Sequence, residues 1–318
     1  MINRRHLIAG AGLAAGALAA PSVLRAQGRT VKMGSLRLVH SMPPYFYEKF
    51  APADLKIEVI VFDSPTDGKN AVVTKSVDFG AFGIAAAILG GAAGEPVAVV
   101  GALSNKGMGV ISKAGSDVKA IKDLKGKKVG IWPGSTQEVF ILERLRMEGL
   151  SIKDITSVRV PFGEMPTMLA RGDLDAYVGA EPGPALSITS GVGQLVEYPY
   201  GTAMGGLNMI FGTHEDTAAK NPDLVRTMLK IHRQAVEFML ANKAAVVDMT
   251  VSKLGANRAA VEQALGANNV EYAWKLDEKV LGQAKTYAQH MLELKQIRAL
   301  PKFETFLNPK FSNEIANT

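Results

Sequence analysis

From Val31 onward, short runs rich in β-branched and apolar residues alternate with runs whose apolar positions fall three and four apart. The first pattern predicts strands and the second amphipathic helices. "VKMGSL" (31–36), "LKIEVIVF" (55–62), "VDFGAF" (77–82) and "PVAVVGAL" (96–103) read as four strands. They are apolar on both faces, so they are expected to be buried and mostly parallel. Between them "YFYEKFAP" (45–52), "TDGKNAVVTK" (66–75) and "AAAILGG" (85–91) read as short helices. A second set follows: "DLKGKKVGIW" (123–132), "SVRVPF" (157–162) and "LDAYVG" (174–179) as strands, with "STQEVFILERLRMEGL" (135–150) and "EMPTMLARG" (164–172) as helices between them. "LNMIFGT" (207–213) gives one more strand. Beyond Asp216 the pattern is almost wholly helical, and "NPDLVRTMLKIHRQAVEFMLAN" (221–242) opens with Asn221 as a plausible N-cap and Pro222 at the first helical position. The alternation is that of an α/β protein.

Two stretches resemble each other. "KSVDFGAFGIA" (75–85) and "GDLDAYVGAEP" (172–182) each run from a helix end through a tight turn with Asp into a short strand and then glycine before a new helix. Chance produces such a likeness as readily as duplication. If it is duplication, the protein has two similar lobes, each presenting a helix start at the carboxyl end of a strand, where open α/β sheets bind ligands.

The first segment, "MINRRHLIAGAGLAAGALAAPSVLRAQG", pairs Arg4 and Arg5 with an apolar stretch from Leu7 to Ala20 and then Pro21. This predicts a secretory signal over 1–26, Tat-like by its twin arginines, with Sec export as the alternative, and hence a periplasmic location. The apolar run is short of the roughly 20 residues that span a bilayer, so no membrane insertion is expected after its removal. Losing Arg4, Arg5 and Arg25 lowers the formal charge from +6 to +3. No Lys/Arg block interleaved with aromatics remains, which argues against nucleic acid as a partner.

The chain's 318 residues, 47% hydrophobic and 21% charged, leave room for two cores. It has no cysteine, which excludes disulfides, thiolate metal sites and a cysteine nucleophile. Its five histidines form no HxH or HExxH pair, so neither a metal nor a cofactor is expected. "WPGSTQEVF" (132–140) places glycine and two hydroxyls between a strand and a helix. Ser135 or Thr136 is either an ordinary N-cap or part of a turn whose free N–H groups face a ligand.

"DLKGKKVGIWPGSTQEVF", "ARGDLDAYVGAEP" and "LNMIFGT" before an all-helical tail resemble the solute-binding proteins of ABC importers, in the group that includes sulfonate-, taurine-, nitrate- and thiamine-precursor-binding proteins. The resemblance implies a two-lobed, type II periplasmic-binding-protein-like fold with two crossover strands and a ligand cleft between the lobes. Lobe 1 would hold 27–110 plus 212–318 and lobe 2 would hold 111–211. It also implies a monomer that delivers its solute to a permease driven by a separate ATPase.

Carried over residue by residue, the resemblance makes Gly134, Ser135 and Thr136 the receiver of a polar or anionic head group. Ser41, Met42 and Tyr45 in "HSMPPYF", and Phe82, Gly83 and Ile84, become first-lobe contacts or, equally, core. Trp132 either stacks on the ligand or packs between lobes. Glu181 either accepts hydrogen bonds from a ligand or caps a helix, and Asn208 offers an amide from the hinge side. No clustered Arg or Lys lies in these segments, which argues against nitrate. Met42, Tyr45, Phe82, Trp132 and Phe162 suggest an organic ligand with a flat or apolar body. The expected function is non-enzymatic capture of a sulfonate, aromatic acid or pyrimidine-like solute. The alternatives are a pyrimidine-precursor synthase-like enzyme, which the missing cysteines disfavour, and a ligand-presenting sensory binding protein. An esterase would want a G-x-S-x-G elbow, which "GSTQE" lacks.

Overall fold

Two separate sheets take up the strands of the computed structural model, which describes residues 28–317; the expected export signal lies outside the described residues. The first sheet contains β1 (Arg29–Leu36), β2 (Leu55–Phe62), β3 (Phe79–Gly83), β4 (Val97–Lys106), β10 (Leu207–His214) and β11 (Val270–Tyr272), in the order β11-β4-β10-β3-β1-β2. The second contains β5 (Met108–Lys113), β6 (Lys128–Ile131), β7 (Thr156–Arg159), β8 (Ala176–Ala180) and β9 (Gly193–Glu197), in the order β7-β6-β8-β5-β9. The chain therefore changes sheet at Gly107, between β4 and β5, and again between β9 and β10.

Helices α1 (Pro65–Val73) and α2 (Ile84–Ala92) flank the first sheet, and α3 (Thr136–Met147), α4 (Met165–Arg171) and α5 (Gly183–Thr189) the second. The tail adds α6 (Glu215–Lys220), α7 (Pro222–Ala241), α8 (Lys243–Leu254), α9 (Arg258–Gly266), α10 (Glu278–Glu293), α11 (Phe303–Phe306) and α12 (Lys310–Ala316).

The sheets are mixed rather than mostly parallel. β1 runs parallel to β2 and β3, and β6 to β7 and β8. β10 is antiparallel to β3 and β4, and β5 is antiparallel to β8 and β9. The reversal has a simple cause: the strands that carry the chain across enter each sheet against the direction of its βα units. "YFYEKFAP" forms no α-helix: its first five residues lie in a 3-10 segment, Pro43–Lys49, that begins with two prolines. Pro222 does open α7, whereas Asn221 beside it makes no side-chain cap.

The first core forms where the apolar stripe of α7, including Val225, Met228, Leu229 and Val236, covers the sheet that presents Met33, Phe79, Met209 and Phe211. Each such fully buried side chain contributes about 1.5–3 kcal/mol. Within it the ring of His232 stacks on Phe211 with centroids 5.1 Å apart. Val110, Val129, Ile131, Ile141, Leu145 and Val178 form a core of the second sheet.

Candidate functional site

The carboxyl ends of β1 and β2 in one sheet face those of β6, β7 and β8 in the other across a cavity of about 620 Å³. Arg37 and Leu38 follow β1; Asp63, Ser64 and Asp67 follow β2; these make one wall. Trp132 after β6, Phe162 and Glu164 after β7, and Pro182 after β8 make the other. The cavity thus lies where parallel strands of open sheets leave room for a ligand.

Local chemistry holds these walls. Ser64 caps α1, its hydroxyl accepting the Asp67 N–H at 3.1 Å, with Pro65 at the first helical position. Trp132 and Phe162 lie tilted at 49° with centroids 6.5 Å apart, and the Arg159 guanidinium sits 5.1 Å over the Trp132 ring. Arg37 Nε is 3.3 Å from Asp63 Oδ1, and both side chains are more than half exposed. Such an exposed pair is worth about 0–1 kcal/mol, so a ligand's acid group can take its place. Arg37 lines the cavity and Arg159 backs its indole. Both lie outside the segments in which the sequence offered no clustered Arg or Lys, so they add positive charge that those segments do not supply.

Of the candidate residues, Trp132 lines this cavity. Ser135 is the N-cap of α3: its hydroxyl accepts the Glu138 N–H at 3.2 Å, while Glu138 Oε2 accepts the Gly134 N–H at 2.8 Å. Thr136 Oγ1 donates to the Asn208 carbonyl at 3.3 Å, and a Cβ added to Gly83 would come within 2.7 Å of it. Gly83, Thr136 and Asn208 therefore meet where α3 packs against the first sheet, outside the cavity wall. The Asn208 amide donates to the Lys106 carbonyl on the other crossing strand. Gly134 faces Thr66 on α1.

Phe82, Ile84 and Met42 are fully buried in core. Ser41 is buried too, its hydroxyl accepting the Leu36 N–H at 2.9 Å. Tyr45 borders a different groove, beside Phe46 and Phe238.

Glu181 is buried behind the cavity, 1% exposed. Its Oε2 accepts the Ala185 N–H at 3.0 Å, in the first turn of α5, and its Oε1 accepts the Asn269 amide at 2.8 Å. Burial pushes its carboxyl up to about 7 against the pull of those two donors. It is thus both a helix cap and a partner of Asn269, a residue that no motif in the sequence marked. Its neighbours Ala180 and Pro182, rather than its own side chain, face the cavity.

Residues 48–246 match the family described as NMT1/THI5 like. The chain belongs to this family. An Escherichia coli relative of this NMT1/THI5-like chain, provisionally named an aliphatic sulfonates-binding protein, is 28% identical over 168 residues, covering 52% of each chain. A 4-amino-5-hydroxymethyl-2-methylpyrimidine phosphate synthase from Schizosaccharomyces pombe is 28% identical over 128 residues, covering 39% of this chain and 36% of its own. The chain thus spans about half the length of the first of these curated relatives, and less of the second.

Among solved structures, the alkanesulfonate-binding protein SsuA from Xanthomonas axonopodis pv. citri, bound to MOPS, superposes with a TM-score of 0.78 at 20% identity, over 87% of this chain and 97% of that one. The periplasmic nitrate-binding protein NrtA from Synechocystis gives 0.75 at 17%, over 91% and 88%. The desulfurization enzyme DSZB gives 0.69 at 15%, over 91% and 99%. The NMT1/THI5-like chain therefore has the two-lobed periplasmic-binding-protein-like fold expected from its sequence, a fold that serves both binding proteins and an enzyme.

Proposed function

We propose that the protein is the exported solute-binding component of an ABC importer, which holds a small organic solute between two lobes and passes it to a membrane permease. The observation that carries this reading is the cavity itself: strand ends of both sheets converge on it, with Trp132 and Phe162 on one wall and Arg37 on the other. In this reading the lobes follow the sheets, with hinges at Gly107 and between Glu197 and Leu207. A flat or apolar body lies along the aromatic wall. An acid head, sulfonate or carboxylate, turns to Arg37, while Asp67 and Glu164 would favour the amino group of a pyrimidine-like ring.

Binding without chemistry is supported by the make-up of the wall. The chain has no cysteine, no histidine is among the residues that line the cavity, and the Ser64 hydroxyl there is engaged in capping α1, so no activated nucleophile-base pair is on the wall. The similarity of the fold to DSZB keeps one second reading in play, an enzyme acting on an aromatic sulfur acid.

The test is a thermal-shift screen of the chain without its leader, residues 27–318, against sulfonates, aromatic carboxylates, pyrimidines, flavins, nitrate and bicarbonate. A solute bound by the folded state raises the melting temperature by mass action, by several degrees when it is present well above its Kd. Mass spectrometry of the same mixtures reads the alternative. A bound solute recovered unchanged supports the importer reading; one recovered as product replaces it with the enzyme.

A further inference from the structure

Glu181 connects more of the molecule than a helix cap needs to. Its N–H donates to the Gly107 carbonyl at 2.9 Å, at the first crossing between sheets, and its carbonyl accepts the Val39 N–H at 3.1 Å from the first lobe. Asn269, which precedes β11 in the first sheet, gives its amide both to Glu181 Oε1 at 2.8 Å and to the Met108 carbonyl at 3.1 Å. Tyr200, in the second crossing, donates its hydroxyl to Asn269 Oδ1 at 2.6 Å, and that hydroxyl oxygen accepts the Met108 N–H at 2.9 Å. One buried residue thus joins these parts: its backbone bonds the first crossing and the first lobe, while its carboxyl ties the start of α5 to Asn269 and, through Asn269, to Met108 and Tyr200 at the two crossings.

The charged and titratable groups around it are few. Lys106 pairs with Glu271 on β11 and donates to the Asn268 carbonyl at 3.2 Å. His40 packs against Gly107, where a Cβ would come within 2.5 Å of its Nδ1, and burial lowers it to about 3, so it stays neutral. Tyr177, whose hydroxyl is 2.8 Å from Ser187 Oγ, Tyr198 and Tyr200 are all raised by burial and stay protonated. Among the described residues, no cation neutralises the carboxylate.

We propose that Glu181, Asn269 and Tyr200 form an interlobe latch: with its carboxyl protonated it holds the hinge as seen here, and on ionisation it loosens, which makes lobe movement and solute capture pH-dependent. The physical reason is desolvation. A buried carboxylate with two donors and no counter-charge gains by letting water in, and the neutral acid does not. The latch rests on the two-lobed binding reading for its purpose but not for its measurement.

The sign follows from linkage. The carboxyl is pushed up to about 7 when latched and returns toward 4.5 when water reaches it. The opening constant therefore rises about tenfold per pH unit between those values and levels off above the upper one.

Hydrogen exchange of the ligand-free protein, expressed from the full chain, tests this at pH 5, 6, 7 and 8 with rates corrected for the intrinsic effect of pH. Peptides covering 104–112, 178–190 and 196–206 are expected to lose protection about tenfold per unit from pH 5 to 7 and no further at pH 8. Glu181→Gln should flatten that profile. Tyr200→Phe, which keeps the ring and removes the bond to Asn269, should raise exchange already at pH 5. A wild-type profile that is flat, or one that survives in Glu181→Gln, overturns the latch, and so does wild-type protection in Tyr200→Phe. Because no solute is used, the result for the latch does not depend on what the screen finds, and recovery of a product in that screen would overturn the importer reading and leave the latch standing.

Discussion

Trp132 is held from one side by the guanidinium of Arg159 and lies against Phe162 at the cavity wall, so its indole reaches a ligand already positioned. A rigid aromatic in such a place loses little entropy on binding. Trp132→Ala is expected to weaken the solute found by screening by about 2 kcal/mol, about 30-fold in Kd. Calorimetric titration reads it, and an unchanged Kd would remove the indole from the binding wall. Arg37→Gln divides the solute classes. It should weaken an acid solute about tenfold or more, since a charge-assisted bond is lost, and leave a neutral pyrimidine within about twofold. Trp132 was legible in the sequence because a strand end before a Gly-Ser-Thr turn is a recognisable place. Arg37, Asp67 and Glu164 were not. They are exposed single charges at a bend, in the first turn of α1 and just before α4, without periodicity or motif, and only the convergence of separate segments makes them a wall.

Between elements, the contact of α3 with the first lobe shows what the "GST" turn does. Its hydroxyls are spent on capping and on Asn208. Further along α3, Phe140 meets Tyr287 of α10 edge-on at 5.4 Å, and Gln296 donates to Glu138 at 3.1 Å. Gly83 gives Thr136 its room. Gly83→Ala should therefore destabilise the protein by about 1–3 kcal/mol through overpacking, measured by urea unfolding. Thr136→Ala in that background should recover most of the loss, because the atom in the way is gone. Full additivity of the two changes would mean that the residues do not meet. The strand ends and α3 could be read from the chain because both are long apolar patterns. β5 could not: "MGVISK" continues the apolar run of β4, and the break rests on two left-handed residues, Lys106 at φ 64 and Gly107 at φ 81. β11 is three residues long and exists through its pairing with β4. Asn269 escaped for the same reason, since it meets Glu181 across 88 positions.

For the molecule as a whole, buried titratable groups pull stability in opposite directions. His232 is locked neutral between two partners: its Nε2 donates to the Ala102 carbonyl at 2.8 Å and its Nδ1 accepts the Tyr47 hydroxyl at 2.8 Å. Burial lowers it to about 4, and His40 to about 3. Both contribute stability that is present above 6.5 and lost as pH falls, because the unfolded chain takes up their protons first. Glu181 acts the other way. The folded state keeps its proton up to about 7 while the unfolded chain releases it near 4.5, so its share is lost as pH rises across that window. Between 4.5 and 6.5 each histidine and the carboxyl pull in opposite directions, each by about 1.4 kcal/mol per pH unit for its one proton. Glu181→Gln removes the opposing slope. It also exchanges one carboxylate oxygen for an amide, which shifts the whole curve by a constant of about 1 kcal/mol without bending it. The difference between variant and wild type is thus expected to grow in the variant's favour by about 1.4 kcal/mol per unit from pH 4.5, reaching about 3 kcal/mol near pH 7. Urea unfolding across that range gives both curves. Parallel curves would place the Glu181 carboxyl at an ordinary value in the folded state, and the latch would lose its proton.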